Sequence, residues 1–285
     1  LEVWVVETPN SIVSPSSIVD ILTLRYDKSI QPNLPKKSWE DFTPKDKAPN
    51  ASSIESSICR AIESNLESYN SKDASIALSG GVDSTLVLSL LRKTRPDLKI
   101  NAVSIKFANS VDETPSAAKI AERFDAKHNV IELENYLSEL PKAISIIKLP
   151  FWDLHWYYVV KKSKTLSKTI ISGDGGDELF AGYTFRYKKF LALTSENSNP
   201  LEKVKAYLQC HERDRVSDQE NIFNQKCNFS WNSIYSHLLP FFDNNLSRLD
   251  QVYLADYNGK LLYNFNPINS RIVNYFEMNQ LTPIL

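Results

Sequence analysis

Only seven glycines occur in the 285 residues, and six of them fall into two clusters: Gly80-Gly81, and Gly173, Gly175, Gly176 and Gly182. Glycine lets a chain turn sharply or bring bare backbone close to a ligand. Glycines this few and this concentrated mark two places where the backbone itself is put to use. Each cluster follows a short apolar run and precedes a helical pattern. Residues 74–78 (ASIAL) lead into the first, and STLVLSLLRK follows it, stopped by Arg95-Pro96; residues 168–172 lead into the second. The pattern at both places is strand, loop, helix. In a parallel sheet such loops lie at the carboxyl edge of the strands, where open α/β sheets bind ligands.

The rest of the chain supports such a sheet. Residues 100–107 and 128–133 read as strands, and Asp112-Glu113-Thr114-Pro115 is a helix start for residues 116–124. Helical stretches are expected over 136–147 and 155–166. Upstream, Ile54, Ile58, Ile62 and Leu66 recur every four residues over 52–68, the mark of an amphipathic helix. Alternating strands and helices predict an α/β fold with a mostly parallel, doubly wound sheet. Residues 1–50 read as a lead-in segment, proline-rich except for a short helical face of Ile18, Ile21 and Leu22; 51–186 read as the α/β domain. Residues 187–285, rich in Tyr, Phe, Leu and Asn, read as a helical region, with a polar loop at 194–199.

Composition narrows the partners. The net charge is −1 with both signs interspersed, so no basic surface for nucleic acid or an anionic membrane is expected. Small molecules are the expected partners. Cys59, Cys210 and Cys227 lack zinc or disulfide spacing and read as reduced thiols in a cytoplasmic protein. There is no membrane-length apolar run and no signal peptide at the first residues. The chain begins on Leu1 and ends on Leu285, and reads as a piece of a longer protein.

In Ser79-Gly80-Gly81-Val82-Asp83-Ser84 the backbone N–H groups, the hydroxyls and the positive end of the following helix suit a phosphate or pyrophosphate. The Walker lysine and the G-x-G-x-x-G spacing are both missing. Asp83 makes sense beside phosphates if a divalent cation lies between them. The second loop supplies Asp174, Asp177 and Glu178 on a turn expected to be flexible. Either loop alone is equally well explained as a turn whose acids cap a helix. The two together, on one expected edge, point to a site.

The first loop resembles the pyrophosphate loop of the N-type ATP pyrophosphatases, whose fold is adenine nucleotide alpha hydrolase-like. The second, Ser172 to Tyr183, resembles the S-G-D/E-G-x-D-E-L-F-x-G-Y signature of the synthetase domain of glutamine-hydrolysing-type asparagine synthetases. The resemblance runs from about Ser16 to Leu285. It implies that the aspartate β-carboxylate attacks the α-phosphate of ATP, giving β-aspartyl-AMP and pyrophosphate, and that ammonia then releases AMP. On that resemblance, Ser79 to Ser84 hold pyrophosphate, Asp83 and Asp177 bind Mg²⁺, and Leu78, Ile105 and Gly173 line the AMP pocket. Asp174, where many members have glutamate, guides or deprotonates ammonia.

Three departures accompany it. No glutaminase domain with an N-terminal cysteine is present, so ammonia is expected free or from a separate glutaminase partner. The family's L-L-x-K-x-D-R segment appears as residues 261–267 without its charges. The sequence stops at Leu285, where typical family members continue into a helical stretch bearing a transition-state lysine; no residue here is assigned to it, and Lys188 or Lys189 would be a guess in its place. Two alternatives stay open: an adenylating amidotransferase acting on another carboxylate, and a non-catalytic nucleotide-binding homologue. Elsewhere, His155 with Trp152, Trp156, Tyr157 and Tyr158 reads as core, His128, His211 and His237 read as core or surface histidines, and Glu212-Arg213-Asp214-Arg215 reads as a solvated helix face.

Overall fold

The computed structural model describes residues 14–32, 35–42, 50–108, 110–148, 154–212, 222–264 and 268–280. Its centre is a parallel sheet of β1 (Asp73–Ala77), β2 (Lys99–Phe107), β3 (Ala126–Leu133), β4 (Thr169–Ile171) and β5 (Asn279–Gln280), in the order β3-β2-β1-β4-β5. The α/β class and the parallel, doubly wound sheet expected from the sequence are present. β5 is an addition: two polar residues, inside a stretch read as helical, pair with β4 through Thr169↔Asn279 and Ile170↔Gln280.

Helices cover both faces. On one, α2 (Ala51–Ser68), α3 (Val82–Thr94) and α4 (Thr114–Arg123) bury Ile58, Ile62, Leu66, Leu88, Leu91 and Ala117 against Ile76 and Ala102. Each fully buried large aliphatic side chain here is worth roughly 1.5–3 kcal/mol. On the other face, α5 (Leu140–Ile147) and α6 (His155–Ser163) pack Ile147, Tyr157 and Val160 against Val103 and Ile170. β2 faces both clusters alternately, Ile100 and Ala102 on the first and Val103 and Ile105 on the second, with Asn101 and Ser104 buried among them. Helix α5 begins later than expected, because Pro141 sits in its first turn. Tyr136 stays outside, its hydroxyl accepting the His155 N–H at 2.9 Å.

The 15–24 segment forms α1 (Pro15–Leu24), and its buried side matches the expected face only in part: Ile21 is buried and Ile18 half-buried, but Leu22 turns outward. Val19, Ile21 and Leu24 are buried while Leu22 is 39% exposed. Asp20 and Thr23 share the buried side, Asp20 paired with Lys28 at 2.6 Å and the Thr23 hydroxyl donating to the Val19 carbonyl at 2.6 Å. Ile21 joins the second core cluster and Leu24 the third. That third cluster is helical: α7 (Gly176–Phe180) leads into α8 (Thr184–Leu193), α9 (Pro200–Cys210), α10 (Trp231–Leu238) and α11 (Arg248–Asp256), packed through Phe190, Tyr207, Phe242 and Val252. A π-turn, Tyr257–Leu261, follows α11, and α12 (Ile268–Tyr275) returns to the sheet, where Ile272 and Val273 join the second cluster. Among the described residues no helix is long and apolar enough to cross a membrane.

Trp156, Tyr157 and Tyr158 are core, as expected; Trp152 lies outside the described residues. His211 is buried, its ring nitrogens 2.8 Å from the Tyr207 carbonyl and 3.1 Å from Asp256. His237 is half-buried, 2.9 Å from the hydroxyl of the buried Tyr26, and desolvation pushes its pKa down to about 4. Of Glu212 to Arg215 only Glu212 is described, and it is exposed. The three cysteines are free thiols.

Candidate active site at the carboxyl edge

Both glycine loops leave adjacent strands. β1 and β4 pair in parallel through Ser75↔Ile170 and Ile76↔Ile171, so the two loops emerge side by side at the carboxyl edge. Leu78 extends β1 by donating its N–H to the Val103 carbonyl at 2.9 Å, and its side chain is buried. The chain then turns at Gly80, whose φ of +81° is one that L side chains rarely adopt. Gly80 lies against Ser116 and Ala117 of α4. Gly81 caps α3 from an extended conformation; its carbonyl accepts the Thr85 hydroxyl at 2.7 Å, and its N–H donates to the Ser79 hydroxyl at 3.3 Å. The Ser79 and Ser84 hydroxyls are 3.2 Å apart. Val82 is 82% exposed, so only its backbone belongs to the loop.

The second loop is pressed onto the first. A methyl at Gly173 would meet the Asp83 carbonyl carbon and the Ser84 nitrogen, both at 2.8 Å. One at Gly176 would meet the Asp83 carboxyl carbon at 2.7 Å. The glycines here thus serve close approach between the loops, beyond turn formation. Asp83 lies against the residue that precedes Asp177. A methyl at Gly182 would overlap the Asp177 carboxylate, and the Gly182 N–H donates to the Asp177 carbonyl at 3.0 Å. The structure therefore brings Gly173 and Gly176 against Asp83 and Ser84 at one junction, with Asp174 and Asp177 carried on the same second loop. Ile105 is half-buried and packs on the second core cluster. Lys189 donates to the Gln209 carbonyl at 2.9 Å, away from the junction, and Lys188 is exposed.

Glu178, expected on a flexible turn, is 8% exposed. It accepts the Tyr183 hydroxyl at 2.7 Å, and burial together with the Glu178 charge raises the phenol above its ordinary pKa. The Arg186 guanidinium lies 3.9 Å over the Tyr183 ring. This brace, Glu178–Tyr183–Arg186, holds the acidic loop to α8 and was not expected from the sequence. Its only signal was the spacing of five between an acid and a tyrosine.

The carboxylates suit a hard cation such as Mg²⁺, an oxygen-donor metal that is held by one or two carboxylates plus substrate phosphates. Among the described residues no group of three or more His, Cys, Asp or Glu side chains stands at metal-binding distance. Asp83 and Asp177 stand on two touching loops, and such a pair could supply that smaller share.

A parallel α/β domain with two glycine-bearing loops meeting at its carboxyl edge is the class that fold and site define. The chain belongs to the asparagine synthase family, whose model matches residues 54–258. It is 31% identical over 137 residues to the glutamine-hydrolyzing asparagine synthetase 1 of Bacillus subtilis, covering 46% of this chain and 21% of that one. It is 32% identical over 111 residues to a putative glutamine-hydrolyzing asparagine synthetase of Methanocaldococcus jannaschii, covering 37% and 22%. The chain matches only about a fifth of the length of these curated relatives. Among solved structures, an NH3-dependent NAD synthetase from Campylobacter jejuni aligns over 75% of this chain and 95% of that chain, at 15% identity and a TM-score of 0.40. A likeness at this level adds nothing to the strand order and the family match.

Proposed function

We propose that this chain is an ATP-dependent amide ligase that forms asparagine from aspartate and ammonia, releasing AMP and pyrophosphate. The observation that carries the reading is the contact of Gly173 and Gly176 with Asp83 and Ser84, which joins the expected pyrophosphate loop to the expected carboxylate loop. A β-carboxylate oxygen of aspartate attacks the α-phosphorus of ATP, and the bond to the β-phosphate oxygen breaks. Ammonia then attacks the acyl carbon, AMP leaves, and a proton is lost from nitrogen.

Backbone N–H groups and hydroxyls of Ser79 to Ser84 bind the leaving pyrophosphate, with the α3 N-terminus behind them. Leu78, Ile105 and Gly173 line the adenylate side. Asp174 receives or steers the ammonia proton. Asp83 and Asp177 would hold Mg²⁺, which when bound supplies positive charge to the departing pyrophosphate. The nitrogen source is free ammonia or a separate glutaminase partner, the relatives being described as glutamine-hydrolyzing.

The test is pyrophosphate release from Mg²⁺-ATP with ammonia and a panel of carboxylic acids. Stimulation by aspartate alone, abolished by Asp83→Asn and Asp177→Asn in folded protein, is the expected result. Stimulation by another acid moves the assignment to an adenylating amidotransferase of different substrate. A second reading, nucleotide binding without turnover, is favoured by Lys189, whose engagement with Gln209 leaves it outside the junction. ATP binding with no AMP or pyrophosphate formed would select it.

A further inference from the structure

Beneath the first loop, one face of the sheet changes from apolar to polar. The residues facing the first core cluster are Ala74, Ile76 and Leu78 from the β1 segment, Ile100 and Ala102 on β2, and Ala126 on β3. Two positions further along the same face stand Ser104 on β2 and His128 on β3. Ser104 is 5% exposed and donates its hydroxyl proton to the Leu78 carbonyl at 2.6 Å. His128 Nε2 lies 2.9 Å from the same hydroxyl oxygen. A serine has one proton to give. With that proton on Leu78, the His128 contact is a bond only if Nε2 carries hydrogen and donates. Burial holds His128 below its ordinary pKa and so favours the neutral ring; it is the Ser104 hydrogen bond that puts its proton on Nε2.

The direction of the chain is therefore set: His128 N–H to Ser104 O–H to Leu78 C=O. The Leu78 carbonyl and the Ser79 N–H are the two ends of one rigid peptide plane. Hydrogen bonds in series polarise one another, so donation to the carbonyl makes the N–H at the other end a stronger donor. Within the loop, that N–H faces the Ser84 hydroxyl at a long 3.4 Å. The preceding plane is fixed by the sheet, through Leu78 N–H to Val103 at 2.9 Å.

We propose that His128 and Ser104 are positioning residues, which orient and polarise the Leu78–Ser79 peptide so that the Ser79 N–H is a preset donor to the phosphate chain of a nucleotide. This rests on the reading of Ser79 to Ser84 as a pyrophosphate loop. A serine serving the fold alone would affect stability and nothing else.

The test uses the full chain, ¹⁵N-labelled, as wild type, Ser104→Ala, Ser104→Thr, His128→Leu and His128→Gln. The Ser79 amide proton shift is read without ligand, and Kd for ATP and for inorganic pyrophosphate, each with Mg²⁺, is read by calorimetry. Ser104→Ala is expected to move the Ser79 amide upfield and weaken both ligands about ten-fold, the loss of one well-placed hydrogen bond. Ser104→Thr, which keeps the hydroxyl, restores both readouts. His128→Leu shows a smaller loss in the same direction, and His128→Gln, which keeps a donor, stays near wild type. Should Ser104→Ala fail to fold, the His128 pair decides. An unmoved Ser79 amide with unchanged affinities, or identical behaviour of His128→Leu and His128→Gln, overturns the proposal. Wild type that binds neither ligand overturns the nucleotide reading instead, and the Ser79 shift still decides whether the relay exists.

Discussion

Replacing Gly176 by alanine separates the site from the fold. The added methyl would stand 2.7 Å from the Asp83 carboxyl carbon and 2.9 and 3.0 Å from its two oxygens. Non-bonded carbons rest at about 3.5–4.0 Å, so the carboxylate must retreat by roughly 0.8 Å. Because the obstacle is the end of a side chain, that retreat is available, and the cost to folding falls at or below the low end of the ~1–3 kcal/mol typical of overpacking. A metal ligand has far less latitude, on the order of 0.2 Å. A misplacement near 1 Å can reduce a reaction about 100-fold. Gly173→Ala is the contrasting variant, because its methyl would meet backbone atoms of Asp83 and Ser84 at 2.8 Å, which cannot step aside. It should lose stability first, by roughly 1–3 kcal/mol or more. Pyrophosphate release and urea melts on the same preparations distinguish the two. Wild-type rates in folded Gly176→Ala would refute the role given to the Asp83 carboxylate.

Three further outcomes are expected. Ala181 ends α7 in the left-handed region at φ 56°, a conformation costing an L residue roughly 1–2 kcal/mol; Ala181→Gly should raise the urea midpoint by up to about 1 kcal/mol in stability. Tyr183→Phe removes one donor to the buried Glu178 carboxylate, and should cost about 1 kcal/mol or more in a denaturant melt. His237 has a folded pKa pushed from 6.5 down to about 4 by burial, so the unfolded chain binds more protons between those values. Its stabilising contribution is full above pH 6.5 and is lost as pH falls toward 4, roughly 3 kcal/mol in all. His237→Phe should flatten that part of the stability profile measured by urea melts.

What could be read from the sequence was the part built on local pattern. An apolar run, a glycine pair and a long helical stretch fix β1, its loop and α3 without knowledge of neighbours, and the second cluster does the same after β4. The junction between them was legible only as a shared edge. That Gly173 and Gly176 touch Asp83 follows from β1 lying beside β4, a pairing over about a hundred residues that no local pattern encodes. β5 was illegible because Asn279 and Gln280 carry no apolar alternation, and α1 misled in part because its buried side includes Asp20 and Thr23, satisfied by Lys28 and by backbone. Glu178 looked mobile among glycines; the Tyr183 hydroxyl that bonds it lies only five residues on, a spacing too common to single it out.

The strand order also carries a consequence for how the molecule comes into being. β1, β2 and β3 are contiguous in the chain and can pair as soon as residue 133 is made. β4 must then insert on the far side of β1, and β5 must wait until Asn279 and Gln280 exist. Pairings of such long sequence separation form late, after loop-closure entropy has been met. The first loop is thus shaped early and stands open, while the carboxylates of the second arrive only with β4. On a growing or partly unfolded chain the loop proposed to face phosphate exists without Asp177, so nucleotide binding, if it depends on both loops as proposed, reports completion of the sheet, and its loss should be among the first signs of β4 detaching.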